Sequence, residues 1–562
     1  MKFIKTSSLM ILVMLCLLFT LSGCGESHAT SGVPSDAFDV CEVGVEICGE
    51  IIRVQKNMSG DGYTLYLPAF CDGVLWSLPE NLEQITLSGK EIRDGESAQE
   101  LTSAESVIFK SGEAEVEVRV LRSANIPALF LHSDDGNMDK INSSPDHSYG
   151  TAGEYSLISS DGAVLSSGAL KKLRGRGNST WNGTAKKPYQ MELKSSESLL
   201  GLAKAKKYVL LANYYDPSLL RNSVAFSLAK VADGFSPNFA PVDLYACGEY
   251  IGSYLLCDKI DIDEEKIDII NLEELTEDIL EEDPDTYERG GAITGAEHGS
   301  YKWYELPEDP KDISGGFVLE VDYPERYPDE VSGFVTERGL PIVIVSPECA
   351  SKAQVEYIKE YVGDFEDALY SEDGYNEKGK HYSAYVDMDS LVFRYLFEEF
   401  TLNIDACVSS FHIYKDSDTK DGKLNFSCVW DYDCTFGNYN LYADLTSPET
   451  LFVASSETRN SGTMPSWLYA LLGHEDFVLR VKEYYTEAFA PAAREALSSI
   501  TDKADEIAKS AYMDDALYSG ADNKNFFGAD SGENFDEAVI YLTDFIEKRI
   551  EFFDKTFGDA NQ

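Results

Sequence analysis

Residues 174–181 read Arg174-Gly175-Arg176-Gly177-Asn178-Ser179-Thr180-Trp181, and this stretch, which we call the glycine turn, guides the interpretation of the whole chain. It lies in a segment, residues 171–207, where ten lysines and arginines face two glutamates, a net charge of +8. The whole chain carries −51. Cations concentrated in one segment of an acidic protein attract anions, and glycine lets the backbone approach a phosphate closely. The segment therefore predicts a site for an anion such as phosphate.

Length and composition indicate a folded protein of more than one domain. The chain has 562 residues, of which 43% are hydrophobic and 12% aromatic, enough to form buried cores. Its strong negative charge repels nucleic acid phosphates and anionic lipid surfaces, so no nucleic acid is expected as a partner.

The N-terminus has the pattern of a bacterial lipoprotein signal peptide over residues 1–23. A short basic region precedes an apolar run, residues 9–21, that is too short for a comfortable membrane span. Leu21-Ser22-Gly23-Cys24 resembles the lipoprotein cleavage box, which predicts cleavage before Cys24 and lipidation of its thiol. Residues 24–35 then form a flexible tether. We expect a protein held on the extracellular face of the bacterial membrane through this lipid alone; the alternative is a secretory signal with Cys24 a free thiol.

The next segment, residues 36–122, predicts a small all-β, sandwich-like domain. Residues 114–120 alternate polar and apolar side chains with the period of a strand. Several turn signals separate such runs. Nothing in this segment suggests chemistry, and a spacer or adhesion role is its expected function. Residues 123–150, rich in Ser, Asp, Asn and Gly, are expected to be a junction.

Residues 151–562 predict a larger α+β domain with a helical C-terminal part. Asp216 is a plausible N-cap for a helix over residues 217–231. Residues 261–312 are acidic and are expected to form a loop-like insertion. Beyond residue 440 the apolar spacing is mostly that of helices.

Three aspartates, Asp405, Asp431 and Asp433, lie at the ends of apolar elements. The two runs between them, residues 411–414 and 424–427, predict a hairpin that brings the aspartates together. Clustered carboxylate oxygens suit Mg²⁺. The alternative is that these acids only cap turns.

Phosphoryl transfer requires this combination of groups. Cations and backbone amides hold the phosphates, acids hold the metal, and one acid orients the attacking hydroxyl. Lys187, on a predicted strand over residues 187–194, is a candidate for gripping the nucleotide.

Several further motifs, in order along the chain, resemble the spore-coat protein H (CotH) kinase family. Together with the glycine turn they cover roughly residues 125–440. These motifs are Lys186-Lys187-Pro188-Tyr189, Leu210-Leu211-Ala212-Asn213-Tyr214-Tyr215-Asp216, Leu220-Arg221-Asn222, Gly248-Glu249-Tyr250-Ile251-Gly252, Gly315-Gly316-Phe317-Val318-Leu319-Glu320, Asn403-Ile404-Asp405 and Trp430-Asp431-Tyr432-Asp433.

The resemblance implies an atypical protein-kinase-like domain that binds ATP and Mg²⁺ and phosphorylates an unknown protein acceptor on serine or threonine. Asp405 would be the catalytic acid, and Asp431 and Asp433 would hold the metal. Ser410 stands where a kinase catalytic loop usually carries a metal-binding Asn. The nucleotide-binding candidates are Arg174, Arg176, Gly177, Asn178, Ser179, Lys187 and Glu320.

Glu320 could replace the glutamate that kinases pair with a strand lysine, because residues 217–231 contain none. An inactive relative is therefore an alternative: a noncatalytic surface or adhesion protein that binds a protein or a cell-wall glycan. A polysaccharide hydrolase built on paired carboxylates is a third hypothesis, but it leaves the basic segment unexplained.

Overall fold

A computed structural model of the protein describes residues 39–558, apart from residues 61, 71–72, 80–85, 88, 112, 292–299, 421, 455–465 and 522–526. The predicted signal peptide 1–23, the lipidation site Cys24 and the tether 24–35 lie outside the described residues. Within the described ranges, no helix combines the length and the apolar character needed to cross a membrane.

The N-terminal segment forms two small sheets. One has the strand order β2-β1-β5, and the other has the order β3-β4-β9-β8-β6-β7, with β4 and β9 parallel. The strands are β1 (Gly44–Ile47), β2 (Glu50–Arg53), β3 (Gln55–Lys56), β4 (Tyr63–Leu67), β5 (Leu75–Ser77), β6 (Thr86–Leu87), β7 (Lys90–Glu91), β8 (Ser106–Ser111) and β9 (Ala114–Arg122). The predicted strand at residues 114–120 is thus confirmed. The core between these sheets also includes Tyr245, Tyr250 and Leu517 from later in the chain, so the segment packs against the rest of the protein.

A closed barrel follows, with the strand order β10-β11-β12-β13-β14-β16-β15 and a parallel β10–β15 pair that closes it. Its strands are β10 (Ala128–Ser133), β11 (Gly150–Ile158), β12 (Val164–Gly175), β13 (Tyr189–Glu197), β14 (Ala205–Leu211), β15 (Phe239–Ala246) and β16 (Glu249–Asp258). Alternate apolar side chains, such as Leu129, Leu131, Leu170 and Met191, fill its interior. The segment 123–150, expected to be a junction, therefore supplies a barrel strand.

After the barrel comes a seven-stranded sheet, which we call the second sheet, with the order β17-β18-β20-β21-β19-β22-β23. Its strands are β17 (Arg289–Gly291), β18 (Tyr301–Tyr304), β19 (Phe317–Val321), β20 (Gly333–Val335), β21 (Pro341–Ser346), β22 (Phe411–Lys415) and β23 (Leu424–Asn425). The pairing of β22 with β23 confirms the predicted hairpin. The acidic segment 261–312 is not only a loop, because it contributes β17, β18 and a short helix.

The helices dominate the C-terminal part. They are α1 (Asp139–Asn142), α2 (Ser179–Gly183), α3 (Arg221–Val231), α4 (Leu272–Glu277), α5 (Lys352–Leu369), α6 (Met388–Thr401), α7 (Trp467–Leu471), α8 (Glu475–Tyr484), α9 (Ala490–Leu517) and α10 (Phe535–Phe557). Helix α3 begins four residues later than predicted. Asp216 still accepts the backbone N–H groups of Ser218 and Arg221, but in the turn that precedes the helix.

The helical tail is joined to the barrel through buried charge. Lys186, next to the glycine turn, is fully buried and forms an ion pair with Asp514 of α9. Lys186 also donates to the carbonyl of Ser253 on β16 (2.6 Å), and Asp514 accepts the backbone N–H of Ser253 (2.9 Å). The mixed α+β class is confirmed, with several sheets and a helical C-terminal part.

Candidate active site

One large cleft lies between the barrel and the second sheet, with a volume of about 780 Å³. Clefts of this size are typical of sites for small molecules and cofactors. The structure brings most of the predicted site residues together here. Those on its walls are Arg174, Arg176, Gly177, Asn178, Ser179, Glu320, Asp405, Ser410, Asp431 and Asp433.

The glycine turn owes its shape to its two glycines. Strand β12 ends at Gly175, where the buried ring of Trp181 lies against the backbone: an added Cβ would be 2.2 Å from the indole. The indole N–H donates to the carbonyl of Ser144 (2.7 Å), which fixes the ring. Gly177 has φ +81°, a conformation that favours glycine. Asn178 and Ser179 follow as exposed residues on the cleft wall.

Arg176 connects the glycine turn to the acids. Its guanidinium lies over the ring of Trp430, 5.3 Å from the ring centre, an arrangement that favours a cation. Burial lowers the pKa of Arg176, and the nearby Asp431 carboxylate opposes this shift. The stacking therefore places a positive charge beside Asp431. The neighbouring Arg174 donates to the side-chain oxygen of Gln190 (3.3 Å).

Residues 430–438, the acid turn, hold the two candidate metal ligands. Asp431 is exposed to the solvent of the cleft and has φ +70°. The surrounding protein raises the pKa of Asp431, while Arg176 and Arg326 lower it. Asp433 is buried, and both burial and the Asp431 charge raise its pKa. Two carboxylates forced together in this way are stabilised by a bound cation.

Buried polar groups hold the acid turn in place on the side that faces the protein interior. Asp216 and Arg221 form a fully buried ion pair, and the Arg221 Nε donates to the carbonyl of Thr435 (3.0 Å). The side chain of Asn222 accepts the backbone N–H of Tyr432, the residue between the two aspartates (2.7 Å). Within the motif Leu220-Arg221-Asn222, Asn222 lines the cleft, whereas Arg221 supports the acid turn from the buried side.

Asp405 follows α6 in an irregular segment, residues 403–410, which we call the Asp405 loop. The backbone N–H of Asp405 donates to the side-chain oxygen of Asn403 (3.0 Å), and the Tyr323 hydroxyl donates to Asp405 Oδ1 (2.8 Å). Within this loop, Cys407 and Ser410 have φ of +59° and +51°. Residues other than glycine rarely adopt such angles, and the residues that do are concentrated at functional sites.

Glu320, on β19, lies among other acids. Burial, followed by the charges of Asp322 and Glu330, raises its pKa to about 8, while Arg326 acts in the opposite direction. The carboxyl is therefore mostly protonated at neutral pH. The Nε2 of His412 lies 3.5 Å from the Glu320 carboxyl, and because burial lowers the pKa of His412 to about 4, this ring is neutral at neutral pH and does not form an ion pair.

Lys187 is the predicted site residue that the structure does not bring into the cleft. Strand β13 begins at Tyr189, after Pro188, and not at residue 187 as predicted. The Lys187 ammonium donates to the carbonyl of Trp181 and lies 5.4 Å from the centre of the Trp181 ring. The expected pairing of Glu320 with this lysine is therefore wrong. Glu320 faces Asp322, Glu330 and Arg326 instead.

The donors in the cleft fit a magnesium ion held partly by a substrate. Within the described ranges, no group of three or more His, Cys, Asp or Glu side chains could hold a metal by itself. Asp431, Asp433 and the Ser410 hydroxyl offer hard oxygen donors, and burial raises the pKa of both aspartates, which a bound cation would oppose. Mg²⁺ commonly takes one or two carboxylates, with phosphate oxygens and water completing its shell.

The geometry agrees with the comparison to known families. The family model described as CotH kinase protein matches residues 173–320 and 343–553. The chain belongs to the CotH kinase protein family. The family match covers the glycine turn from its first residue, the Asp405 loop and the acid turn. No curated protein matches this CotH kinase family member.

The sequence did not reveal several residues of this CotH-family cleft. Tyr323, Arg326 and Glu330 line it from a segment between the two matched ranges, and Lys259 lines it from the residue after β16. None belongs to a glycine-rich or paired-acid motif. Residue types alone gave no signal for them, because their role depends on contacts between residues some 80 positions apart.

Proposed function

We propose that the chain is a kinase-like phosphotransferase that binds ATP with Mg²⁺ in this cleft and transfers phosphate to serine or threonine of a protein acceptor. The observation that carries the proposal is the convergence of the cationic glycine turn and the three aspartates Asp405, Asp431 and Asp433 on one cleft. Membership of the CotH kinase protein family supports the same reaction class.

The nucleotide phosphates are assigned to the glycine-turn side. Arg174 and Arg176 supply positive charge there, and Gly177, which has no side chain of its own, lines the same wall. Asn178 and Ser179 add exposed polar groups on the same wall. Phosphate recognition by arginine and exposed backbone amides is a recurrent arrangement.

Asp431 and Asp433, with Ser410, are assigned to the metal. Mg²⁺ bound there would neutralise charge on the phosphates during transfer. Burial raises the pKa of Asp431, and the positive charges of Arg176 and Arg326 oppose this rise and so favour the charged carboxylate that a metal would need.

Asp405 is assigned the role of orienting the acceptor hydroxyl. The acceptor oxygen forms a bond to the γ-phosphorus, the bond from that phosphorus to the β-phosphate oxygen breaks, and ADP leaves. The hydroxyl proton passes to the Asp405 carboxylate, which holds the acceptor in line.

The test is titration of the full chain with Mg²⁺ and ATP by calorimetry, repeated with Asp431→Ala and Asp433→Ala. Each substitution is expected to weaken binding by at least about tenfold, because each removes a metal ligand. Asp444→Ala is the matched control, since Asp444 is an exposed aspartate whose carboxylate accepts from Thr446 outside the cleft. No binding by the parent chain, or equal binding by all four proteins, would refute the nucleotide site.

Catalysis is tested separately by transfer of radiolabel from ATP to dephosphorylated casein or to the chain itself. Asp405→Asn is expected to keep Mg²⁺–ATP binding and to lose transfer by about 10²- to 10⁴-fold. A variant that transfers at the parent rate would exclude Asp405 from the reaction.

A second candidate function is noncatalytic binding by a kinase-like surface protein. The observation that favours it is the position of Lys187, which bonds to Trp181 and leaves Glu320 without the lysine of an active kinase. Nucleotide or acceptor binding with no transfer under any condition would select this candidate.

We also propose that the protein is anchored on the extracellular face of the membrane through a lipid on Cys24. The support is the sequence around the cleavage box alone. Mass spectrometry of the mature N-terminus tests the anchor: a diacylglyceryl-modified Cys24 is the expected result, and an unmodified thiol would contradict it.

A further inference from the structure

Residues 321–342 lie between the two ranges matched by the family model, yet they form part of the cleft wall. This segment starts at the last residue of β19, ends within β21, and includes β20 and a short 3-10 turn, Tyr327–Asp329. Lys302, itself buried, donates to the carbonyls of Tyr327 and Glu330 and so anchors the turn to strand β18. The segment is therefore fixed to the second sheet.

Tyr323 extends from this segment to the proposed catalytic acid. Its hydroxyl donates to Asp405 Oδ1 at 2.8 Å, and its backbone N–H donates to Asp322 Oδ1 at 2.7 Å. A carboxylate has about four acceptor sites on two oxygens, so one phenol donor to Oδ1 restrains its orientation without occupying all of these sites.

Arg326 holds the far end of the Asp405 loop. Its guanidinium donates to Ser409 Oγ (3.2 Å) and to Asp322 Oδ1 (3.4 Å), and Ser409 Oγ donates to the same Asp322 oxygen (3.2 Å). The guanidinium also lies over the Tyr323 ring, 5.0 Å from its centre. Tyr323 and Arg326 therefore brace each other as well as the loop.

We propose that Tyr323 and Arg326 are positioning residues that hold the Asp405 carboxylate in its productive orientation. The proposal rests on the function proposed for Asp405 above. The loop between residues 403 and 410 contains left-handed residues at Cys407 and Ser410, a conformation that persists only where surrounding contacts impose it. The contacts from Tyr323 and Arg326 supply that restraint at both ends of the loop. A misplacement of about 1 Å at a catalytic group can cost about 10²-fold in rate.

Hydrogen exchange of the nucleotide-free full chain tests the restraint without any activity measurement. Tyr323→Phe removes one hydrogen bond. Arg326→Lys keeps the positive charge but loses the guanidinium that lies over the Tyr323 ring and whose Nη1 donates to both Ser409 and Asp322. Each is expected to speed exchange in peptides covering residues 403–410 by about two- to tenfold. Tyr512→Phe is the matched control, because the Tyr512 hydroxyl donates to Asp536 at the same 2.8 Å on the surface of the helical tail.

Steady-state phosphate transfer to casein then tests the consequence for the reaction. Tyr323→Phe is expected to lower kcat by about 10- to 100-fold while KM for ATP stays within about twofold. Tyr512→Phe is expected to match the parent in every measurement.

Two results would overturn the proposal: loop exchange that equals the Tyr512→Phe control in both variants, or faster exchange with an unchanged kcat. If the parent chain binds no Mg²⁺–ATP or transfers no phosphate, the function assigned to Asp405 falls. The exchange measurement then decides alone whether Tyr323 and Arg326 hold this loop.

Discussion

The glutamate on β19 offers a direct test of the electrostatics of the cleft. Burial and the charges of Asp322 and Glu330 raise the pKa of Glu320 to about 8, against an ordinary value of 4.5. The folded protein therefore keeps this proton to a higher pH than the unfolded chain does. It follows that Glu320 favours folding at low pH, and that this contribution is lost as the pH rises through 8. His412, with a pKa of about 4, stays neutral and does not compensate.

The size of the effect follows from the two pKa values. Between pH 6 and pH 9 the unfolded chain holds its Glu320 carboxyl ionised, while the folded protein changes from mostly protonated to mostly ionised. Integration over this range gives a loss of about 2–3 kcal/mol in unfolding free energy for the parent. Glu320→Gln is always neutral and lacks this loss. The quantity to follow is the unfolding free energy of Glu320→Gln minus that of the parent. This difference should be about 2–3 kcal/mol larger at pH 9 than at pH 6.

Urea denaturation at pH 6, 7, 8 and 9, followed by tryptophan fluorescence in the absence of nucleotide, measures the difference. Glu495→Gln is the control, because Glu495 is an exposed residue of α9 outside the cleft. A difference between Glu320→Gln and the parent that stays constant across this pH range would show that Glu320 is not held protonated. The account of crowded acids in the cleft would then be wrong.

Three further predictions concern the glycine turn and the acid turn. Gly175→Ala is expected to lower the free energy of unfolding in urea by about 1–3 kcal/mol, because its Cβ would be 2.2 Å from the Trp181 ring. Gly363→Ala is the control: this glycine of α5 has open space around it, so the substitution should be neutral or slightly stabilising. Arg176→Met should weaken Mg²⁺–ATP binding in calorimetry by about 2- to 30-fold, since it removes a cation stacked on Trp430 and assigned to phosphate; unchanged affinity would refute that role. Affinity for Mg²⁺–ATP should rise from pH 6 to pH 9, because protons compete with the metal for carboxylates of raised pKa, and a flat profile would contradict the metal assignment.

The parts of the site that could be predicted from sequence are those with local signals. The glycine turn combines glycines, arginines and a net charge of opposite sign to the rest of the chain. The hairpin β22–β23 follows from two apolar runs at a short separation, and it explains why Asp405 and the acid turn meet. These features depend on residues that are close in sequence.

The features that could not be predicted depend on distant contacts. Strand β10 closes the barrel by pairing with β15, more than a hundred residues later, and its surroundings of Ser, Asp and Asn favour a loop. The sequence predicts Lys187 on a strand, but the strand begins after Pro188, and the ammonium donates to the carbonyl of Trp181. Tyr323 acts on Asp405 from 82 positions away.

The ion pair between Lys186 and Asp514 makes the segment that follows the glycine turn depend on the C-terminal helix α9. Asp514→Ala would leave the buried ammonium of Lys186 without this counter-charge, a change that typically costs about 3–5 kcal/mol, and a chain shortened before α9 would also lose the helix that covers it. Proteolytic removal of the C-terminal helices should therefore unfold the barrel and not release a smaller working enzyme. Any attempt to obtain a minimal version of this protein has to begin from a span that retains residue 514.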